Sequence, residues 1–325
     1  MKNNSNIEHT QFFYGIRPEA KDFPMMCVVS FLYICNAKCP SCPYTNSNIR
    51  EDYKDNPFMD EKTFKIIADQ CGEYKAWMRI TGGGEPMLHP KAVELMEYAK
   101  KVGAKIGLIT NGSKFTEESA RRLIEAKVDM IEFSVDAGNS NTYARVRKGL
   151  DWGILLKNIK RIVSLRNKLK GSTKIIASAI NQIGVNIEEA EKFWSPMVDN
   201  FQKRKYLTWG INDPSKSADP LPYLPPGEHV PCPFIFERLY IGINGKIMVC
   251  VFDISSKTNM GNVHEKSIKE IWKGKDFEYY RKMHLNHRGN EIALCKNCQD
   301  WKYRSWKHNY WKLVKNAGLK HGDQR

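Results

Sequence analysis

The sequence predicts an α/β fold: a partial (β/α)6 barrel followed by a smaller domain made of a β-hairpin and short helices. Along the first part of the 325 residues, short β-rich apolar runs alternate with amphipathic helical stretches. The alternation stops after residue 211 at a stretch rich in Pro, Ser and Asp. Beyond it, Asn244-Gly245 is a strong hairpin signal. We therefore expect an N-terminal extension (1–25), an α/β core (26–211), a linker (212–231) and a C-terminal domain (232–325).

Six apolar runs are the predicted strands of the core. Asp60 and Thr116 are predicted N-caps of two of the intervening helices, and further helices are predicted at 89–102, 152–169 and 186–199. In alternating βα units the reactive groups collect at the carboxyl ends of the parallel strands. The predicted strands span 26–34, 77–81, 105–109, 130–135, 174–180 and 206–211.

Composition is that of an ordinary globular protein, with 42% hydrophobic and 27% charged residues. No apolar run approaches the roughly 18 residues that cross a bilayer. The polar N-terminus lacks the apolar segment of a secretory signal. We expect a cytoplasmic protein without a membrane partner.

Charge is the less ordinary feature: 51 Lys and Arg against 36 Asp and Glu give a net charge of +15. Such an excess is typical of proteins that bind nucleic acids or other anions, and also of a merely solvated basic surface. No run of five basic residues occurs. The aromatic, basic stretch after residue 300 favours a packed terminal helix over a stacking platform for nucleic acid or sugar. We do not expect nucleic acid as a partner.

The chain has nine cysteines. Disulfides are rare in a reducing compartment, so disulfide bonding does not explain this number. Three of them form a Cys-x3-Cys-x2-Cys motif, Cys35, Cys39 and Cys42, just after the first predicted strand. Three thiolates leave one iron of a four-iron cubane open to another ligand. A tetrahedral zinc ion would need a fourth ligand, and no Cys or His lies between residues 43 and 70. The motif therefore indicates an iron–sulfur cluster.

With this motif at the mouth of a (β/α)6 pattern, residues 25–211 resemble the radical S-adenosylmethionine (SAM) enzymes. The resemblance implies a [4Fe–4S] cluster on Cys35, Cys39 and Cys42, whose open iron holds the amino and carboxylate groups of SAM. It also implies reductive cleavage of SAM to a 5′-deoxyadenosyl radical that abstracts a hydrogen atom from the substrate.

Further matches to this family suggest the SAM contacts. Gly83, Gly84 and Glu85 lie in a stretch that resembles the family's GGEP loop, which contacts the methionine amino group. Asn111 follows the third strand in a Thr-Asn-Gly sequence, as a SAM contact or as a turn residue. Ser134 ends the fourth strand, where family members often touch SAM, although it could also be a plain barrel-rim residue.

Ser41 marks a departure from the family pattern. The residue before the third cysteine is usually aromatic in this family and packs near the adenine ring. Tyr44 is the nearby substitute for this contact. The segment from Tyr143 to Arg147 resembles the helix that follows the fourth strand in the family.

A second cysteine group lies in the C-terminal domain: Cys232, Cys250, Cys295 and Cys298. Four thiolates complete the ligation of one cubane, and they also suit a tetrahedral zinc ion. The amino-acid sequence around these cysteines resembles the C-terminal SPASM/twitch extension of radical SAM enzymes, which holds auxiliary [4Fe–4S] clusters. Because only four cysteines are present, the resemblance implies one auxiliary cluster, as in twitch-type aminocyclitol dehydrogenases.

The resemblance therefore implies SAM and two [4Fe–4S] clusters as cofactors. The expected reaction is oxidation of a carbinol in a sugar or aminocyclitol-type substrate, with the auxiliary cluster accepting the second electron. The basic surface suits an acidic electron donor of the flavodoxin or ferredoxin type. The catalytic base is not identified by the sequence, although Arg145, Arg147, Glu237 and Asp253 are candidates for facing the substrate.

Three alternative functions stay open. One is maturation of a ribosomal peptide by thioether formation, epimerisation or crosslinking, for which the roughly 25 residues before the first strand are too few to form a peptide-recognition domain. Another is redox-neutral sugar epimerisation, which needs a hydrogen donor such as Cys27 or Cys71. Cys71 falls on an apolar helix face and Cys27 at the far end of its strand, which argues against this role. RNA modification would use the basic charge but lacks a recognisable RNA-binding module.

Overall fold

The computed structural model describes residues 20–209, 211–218, 231–296 and 298. A single sheet of nine strands organises these residues in the order β6-β5-β4-β3-β2-β1-β7-β8-β9. The strands are β1 (Met26–Ser30), β2 (Trp77–Thr81), β3 (Lys105–Thr110), β4 (Met130–Ser134), β5 (Lys174–Asn181), β6 (Asn200–Lys205), β7 (Arg238–Ile241), β8 (Lys246–Met248) and β9 (Gly261–Asn262).

At least one α-helix follows each of the strands β1 to β5, as the alternating sequence pattern predicts. Asp60 caps the helix Glu61–Glu73 by accepting from the Thr63 amide, and Thr116 forms a capping box with Ser119. The α-helices span Glu61–Glu73, Ala92–Lys101, Glu117–Glu125, Ser140–Val146, Trp152–Lys168, Ile187–Trp194, Phe234–Glu237, Ile268–Trp272 and Lys275–Leu285.

Strands β1 to β6 are all parallel and lie in chain order, which is the arrangement of a partial (β/α)6 barrel. β1 is buried along its whole length, because helices cover one face and the barrel interior the other. The predicted fold class is confirmed. The loops after the carboxyl ends of β1 to β4 meet at one end of the sheet and carry the predicted site residues.

The last barrel strand differs from the prediction at 206–211: the structure places β6 at Asn200–Lys205. This strand reads Asn-Phe-Gln-Lys-Arg-Lys and carries little apolar pattern. Among the described strands it lies at the edge of the sheet and pairs with β5 alone. Charged side chains are common on edge strands, where they oppose pairing with other molecules. Ion pairs hold it: Arg204 with the buried Glu132 of β4, and Lys203 with Glu191.

The predicted C-terminal hairpin forms, but it extends the barrel sheet. β7 pairs in parallel with β1, with Met26 opposite Arg238, and β8 returns antiparallel to β7. Gly245 has a φ of 77°, which the turn requires, and the Gly242 amide donates to the Lys246 carbonyl at 2.9 Å. The connection is therefore longer than the two-residue turn that the Asn-Gly pair suggests.

The segment before β1 contacts both the barrel and the C-terminal helix Ile268–Trp272. The Phe23 ring stacks on Tyr74 at 4.4 Å, and the Trp272 indole donates to the Ala20 carbonyl at 2.7 Å. Residues 219–230 of the predicted linker and the aromatic stretch from Trp301 lie outside the described residues. Within the described part of the chain, no helix is both long and apolar enough to cross a membrane.

Candidate active site

Cys35, Cys39 and Cys42 lie in one loop beyond the carboxyl end of β1. Cys39 is buried, whereas Cys35 and Cys42 are half-buried. The Cys42 amide donates to the Cys39 carbonyl at 3.1 Å, which folds the second half of the loop into a turn. Burial raises the pKa of Cys35 to about 11 and also raises the pKa of Cys39. Because metal ligation requires thiolates, loading this site must release protons.

The residues around this loop fit an anionic cluster with a further polar ligand. Three buried polar atoms there have no hydrogen-bond partner: Thr45 Oγ1, Ser47 Oγ and Arg147 Nε. Buried polar groups are normally paired, so unpaired donors next to three soft thiol ligands indicate a place built for another group. The Arg147 guanidinium also donates to Cys39 Sγ at 3.6 Å.

The loop of Gly82 to Glu85 after β2 lies directly against the cysteine loop. The Glu85 amide donates to the Ile34 carbonyl at 2.9 Å. A Cβ on Gly84 would overlap the Ile34 carbonyl group, and a Cβ on Gly83 would overlap the Tyr33 ring. Glycine is therefore required at residue 84 by the close approach of two backbones, and at residue 83 by the Tyr33 ring.

Glu85 is the buried centre of this end of the barrel, with 2% of its surface exposed. Its carboxylate accepts from the Asn111 amide and from Thr110 Oγ1, both at 2.6 Å, and from the Met87 amide at 3.1 Å. Burial raises the pKa of Glu85, and these three donors act against that rise. The carboxylate thus binds the loop after β3 to the loop after β2, and its direct contact with SAM stays a prediction.

Asn111 continues the same network to the cysteine loop. Its Nδ2 donates to Asn36 Oδ1 at 3.0 Å, while its Oδ1 accepts from the Ser113 hydroxyl at 2.6 Å. Ser134 is half-buried at the carboxyl end of β4, beside this network along the same edge. Three loops that are distant in the sequence therefore meet where the motifs predicted a SAM site.

Tyr44 is buried near the cysteine loop and faces the C-terminal domain. Its hydroxyl lies 3.3 Å from the hydroxyl of Tyr240 on β7, and its ring meets Tyr33 edge-on at 6.0 Å. Burial raises the pKa of the Tyr44 phenol, so it stays protonated. The adenine contact predicted for Tyr44 stays a prediction, while its contact with Tyr240 joins the segment after the cysteine loop to β7.

The second cysteine group lies around the β7–β8 hairpin. Cys232 leads through a helical turn into β7, and the strand register brings Cys250, two residues past β8, to the start of β7. The Phe252 amide donates to Cys250 Sγ at 3.5 Å. The Cys298 amide donates to the Cys295 carbonyl at 3.1 Å, which folds that pair into a turn.

Among the residues described, no three Cys, His, Asp or Glu side chains converge on a point that could hold one metal ion. Ligation of a cubane or of a zinc ion by Cys232, Cys250, Cys295 and Cys298 stays a prediction.

Other predicted candidates have structural partners. Glu237 is fully buried and pairs with Arg238 at 3.0 Å, and Asp253 accepts from the amides of Lys257 and Thr258 in the loop after Cys250. Arg145 is exposed. Two further thiols predicted as possible hydrogen donors, Cys27 and Cys71, are fully buried in the core.

Sequence reasoning missed several residues that hold the loops together. Arg50 Nε donates to the Gly83 carbonyl at 2.7 Å. Asn212 Nδ2 donates to the Ser41 carbonyl at 2.9 Å, and the Trp209 ring meets Phe252 at 4.6 Å. The segment after β6 thereby links the cysteine loop to the loop that follows Cys250. No motif marks these residues, because each contact joins distant parts of the chain.

Comparison with known protein families agrees with this geometry. The model of the Radical SAM superfamily matches residues 29–193, about half of the chain. The model of SPASM, an iron–sulfur cluster-binding domain, matches residues 232–299 and so includes all four C-terminal cysteines.

Two curated relatives align through both domains. The tungsten-containing aldehyde ferredoxin oxidoreductase cofactor-modifying protein of Pyrococcus furiosus is 24% identical over 312 residues, covering 80% of this chain and 85% of that protein. The S-adenosyl-L-methionine-dependent 2-deoxy-scyllo-inosamine dehydrogenase of Niallia circulans is 24% identical over 277 residues, covering 82% and 89%.

Solved structures show the same fold. BtrN in complex with AdoMet and 2-DOIA has a TM-score of 0.56 at 18% identity, over 85% of this chain and 92% of that chain. SuiB of Streptococcus suis bound to its precursor peptide SuiA has a TM-score of 0.65 at 16% identity, over 93% and 76%. By its family match, its fold and its three converging loops, this chain belongs to the radical SAM superfamily and carries a C-terminal SPASM domain.

Proposed function

We propose that this protein is a radical SAM oxidoreductase that oxidises a carbinol of a sugar or aminocyclitol-type substrate. The observation that carries the proposal is the second, fully cysteine-based donor set, on a hairpin whose strand β7 pairs directly with β1 of the barrel. When bound, the clusters and SAM supply one hydrogen-atom abstraction from the carbinol carbon and an acceptor for the second electron, while the hydroxyl proton leaves to a base.

Separate groups of residues would hold the two clusters and SAM. Cys35, Cys39 and Cys42 would hold a [4Fe–4S] cluster with one open iron, and Cys232, Cys250, Cys295 and Cys298 would hold a closed one. The SAM site would be formed by the loops that the structure brings together there, with the candidate contacts Tyr44, Gly83, Gly84, Glu85, Asn111 and Ser134.

Relatives support a small-molecule substrate. The Niallia circulans dehydrogenase aligns over 82% of the chain, through both domains. The PqqA peptide cyclase of Gluconobacter oxydans aligns over only 34% of it. The alternative of peptide maturation draws on the fold likeness to SuiB with its SuiA peptide. Sugar epimerisation has less support, because Cys27 and Cys71 are sealed in the core.

Electrons for the first cluster would come from an acidic flavodoxin or ferredoxin-type protein. The cysteine loop lies under exposed basic residues: the Lys38 amide donates to the Lys148 carbonyl at 2.8 Å, so the two lysines are neighbours. Reversing both charges (K38E/K148E) should slow SAM cleavage driven by flavodoxin much more than cleavage driven by dithionite. The control K101E/K168E changes the same charge at two exposed helix ends on the opposite side of the barrel. Equal slowing by both pairs would contradict this docking site.

The reaction is tested first by substrate class. Reduced protein is incubated with SAM and, separately, with polyols, aminocyclitols and peptides, and 5′-deoxyadenosine is measured. A carbinol substrate deuterated at the reacting carbon should transfer deuterium to 5′-deoxyadenosine and give a ketone. Stimulation by peptides alone would establish the maturase alternative instead.

The role of the auxiliary cluster is tested with C295A/C298A. This variant should still form 5′-deoxyadenosine but give much less ketone for each 5′-deoxyadenosine formed, because the second electron has lost its acceptor. The matched control C27A/C71A removes two core thiols that are not ligands and should keep the wild-type ratio. An unchanged ratio in a folded C295A/C298A protein would exclude the oxidation, whereas loss of product in C27A/C71A would favour epimerisation.

A further inference from the structure

We infer, on the basis of the cluster proposed above at Cys35, Cys39 and Cys42, that Arg147 sets the reduction potential of that cluster. Arg147 is placed by Asp136 so that its fixed positive charge lies against one cysteine ligand. Arg147 is thus a positioning and tuning residue for the first electron transfer, separate from the residues expected to contact SAM.

Two contacts of the guanidinium define this arrangement. One terminal nitrogen of Arg147 lies 2.7 Å from Asp136 Oδ2, and the other donates to Cys39 Sγ at 3.6 Å. The side chain of Arg147 is 14% exposed and that of Asp136 is 2% exposed. The cation is therefore largely removed from water, so its field at the sulfur is only weakly screened.

Asp136 is itself fixed in place. Its φ of 49° lies in the left-handed region, directly beyond the end of β4. Its Oδ1 accepts from the Ile180 amide of β5 at 2.7 Å, which leaves Oδ2 for Arg147. Because strand β5 holds the carboxylate, the carboxylate in turn holds the guanidinium on the side of Cys39.

The backbone after Arg147 attaches the same segment to the cysteine loop. The Lys38 amide donates to the Lys148 carbonyl at 2.8 Å. Gly149 has a φ of 90°, and a Cβ there would lie 3.2 Å from the Asn36 carbonyl oxygen. Residues 147–149 therefore follow the cysteine loop from Asn36 to Cys39, and these contacts keep the backbone of Arg147 beside that loop.

The expected effect on the potential follows from charge. Reduction adds one negative charge to the cluster, and a nearby cation and an N–H donor to a ligand sulfur stabilise the reduced form. The guanidinium stays protonated throughout the working pH range, so the effect is permanent. Asp136 lies behind Arg147 and opposes it in part. Removing the cation and removing the anion should therefore move the potential in opposite directions.

The experiment is a potentiometric titration of the reconstituted enzyme, followed by electron paramagnetic resonance of the signal that changes on adding SAM. In R147M the ratio of reduced to oxidised cluster at a fixed potential should fall at least tenfold, which is about 59 mV for a one-electron couple. D136N removes the negative charge but keeps one side-chain oxygen that can accept from Arg147, so the ratio should rise. R147M/D136N should lie between wild type and R147M. Arg145 is the matched control: it is exposed and donates to the Gly184 carbonyl, so R145M should not move the potential.

Shifts of the same sign in R147M and D136N, or no shift in either with full iron content, would overturn the inference. If R147M does not hold the cluster because Asp136 is left buried and unpaired, D136N and the charge-neutral double variant still decide the sign. A wild-type protein without a SAM-sensitive cluster signal would refute the proposed function as well. A normal signal with unshifted potentials would refute only the role of Arg147.

Discussion

The Glu85 carboxylate accepts a 2.6 Å hydrogen bond from the backbone amide of Asn111, which joins the loops after the neighbouring strands β2 and β3. The same carboxylate accepts from the Thr110 hydroxyl, and Asn111 reaches on to Asn36 in the cysteine loop. Two motifs that are separate in the sequence thus form one network. A change in Glu85 should therefore be felt at each loop of the proposed SAM site.

Glu85→Ala should weaken SAM binding by about tenfold or more while the cluster iron is retained. The substitution leaves buried donors of Thr110, Asn111 and Met87 unpaired, at a cost of about 1–3 kcal/mol, and 1.4 kcal/mol corresponds to about a factor of ten. Equilibrium dialysis with SAM and iron analysis measure the two properties. Glu85→Gln keeps one acceptor oxygen and should show a smaller loss. SAM affinity equal to wild type in both variants would contradict this role.

Gly84→Ala should reduce the iron held by the first cysteine loop as well as SAM binding. Its Cβ would overlap the backbone of Ile34, next to Cys35, so the cysteine loop would have to move. Overpacking of this kind costs about 1–3 kcal/mol. Gly153→Ala is the control, because its Cβ meets only Asp151 Oδ1 at 3.2 Å near the start of a helix. Full iron content in Gly84→Ala would contradict this prediction, because the two loops would then have moved apart without displacing the cysteine ligands.

The iron content tests the two donor sets directly. Reconstituted wild type should hold about eight irons, four in each cubane. Replacing Cys35, Cys39 and Cys42 by Ala should leave about four irons and abolish SAM cleavage, and C295A/C298A should also leave about four. The control C27A/C71A should keep about eight. Zinc bound at the C-terminal set, or four irons in the wild type, would be incompatible with two clusters.

Glu132→Gln should destabilise the barrel at its open edge by roughly 3 kcal/mol at neutral pH. Arg204 of β6 donates two hydrogen bonds to the buried Glu132 carboxylate, at 2.7 and 2.5 Å, and Arg79 lies 3.8 Å away. Urea unfolding followed by tryptophan fluorescence measures the difference, and Lys203→Gln, which removes only an exposed pair, should cost much less.

The stability difference between wild type and Glu132→Gln should change with pH in one direction. Burial alone would raise the pKa of Glu132, but Arg204 and Arg79 hold it below its usual 4.5. A carboxylate with a lowered folded-state pKa stabilises the protein above the unfolded-state value and loses that contribution as the pH falls through the folded-state value. The difference in the free energy of unfolding between wild type and Glu132→Gln should therefore decrease below about pH 4.5. A difference in unfolding free energy that does not change with pH would show that it does not arise from the ion pairs of Glu132.

The sequence alone determined the features that depend on local signals. The Cys-x3-Cys-x2-Cys spacing, the caps at Asp60 and Thr116 and the bounds of β2 could all be predicted, because each arises within a few neighbouring residues. The parallel barrel could be predicted for a similar reason: each βα unit contributes its own periodic pattern.

Tertiary structure decided what depends on distant partners. β6 lies at Asn200–Lys205 because an edge strand is selected by its pairing with β5 and its ion pairs, while its apolar pattern is weak. β7 continues the sheet beside β1, and Arg147 comes to lie between Asp136 and Cys39. Such contacts join residues as far apart in the chain as Met26 and Arg238. No periodicity in the sequence encodes them, because they form only when distant segments are brought together in the folded protein.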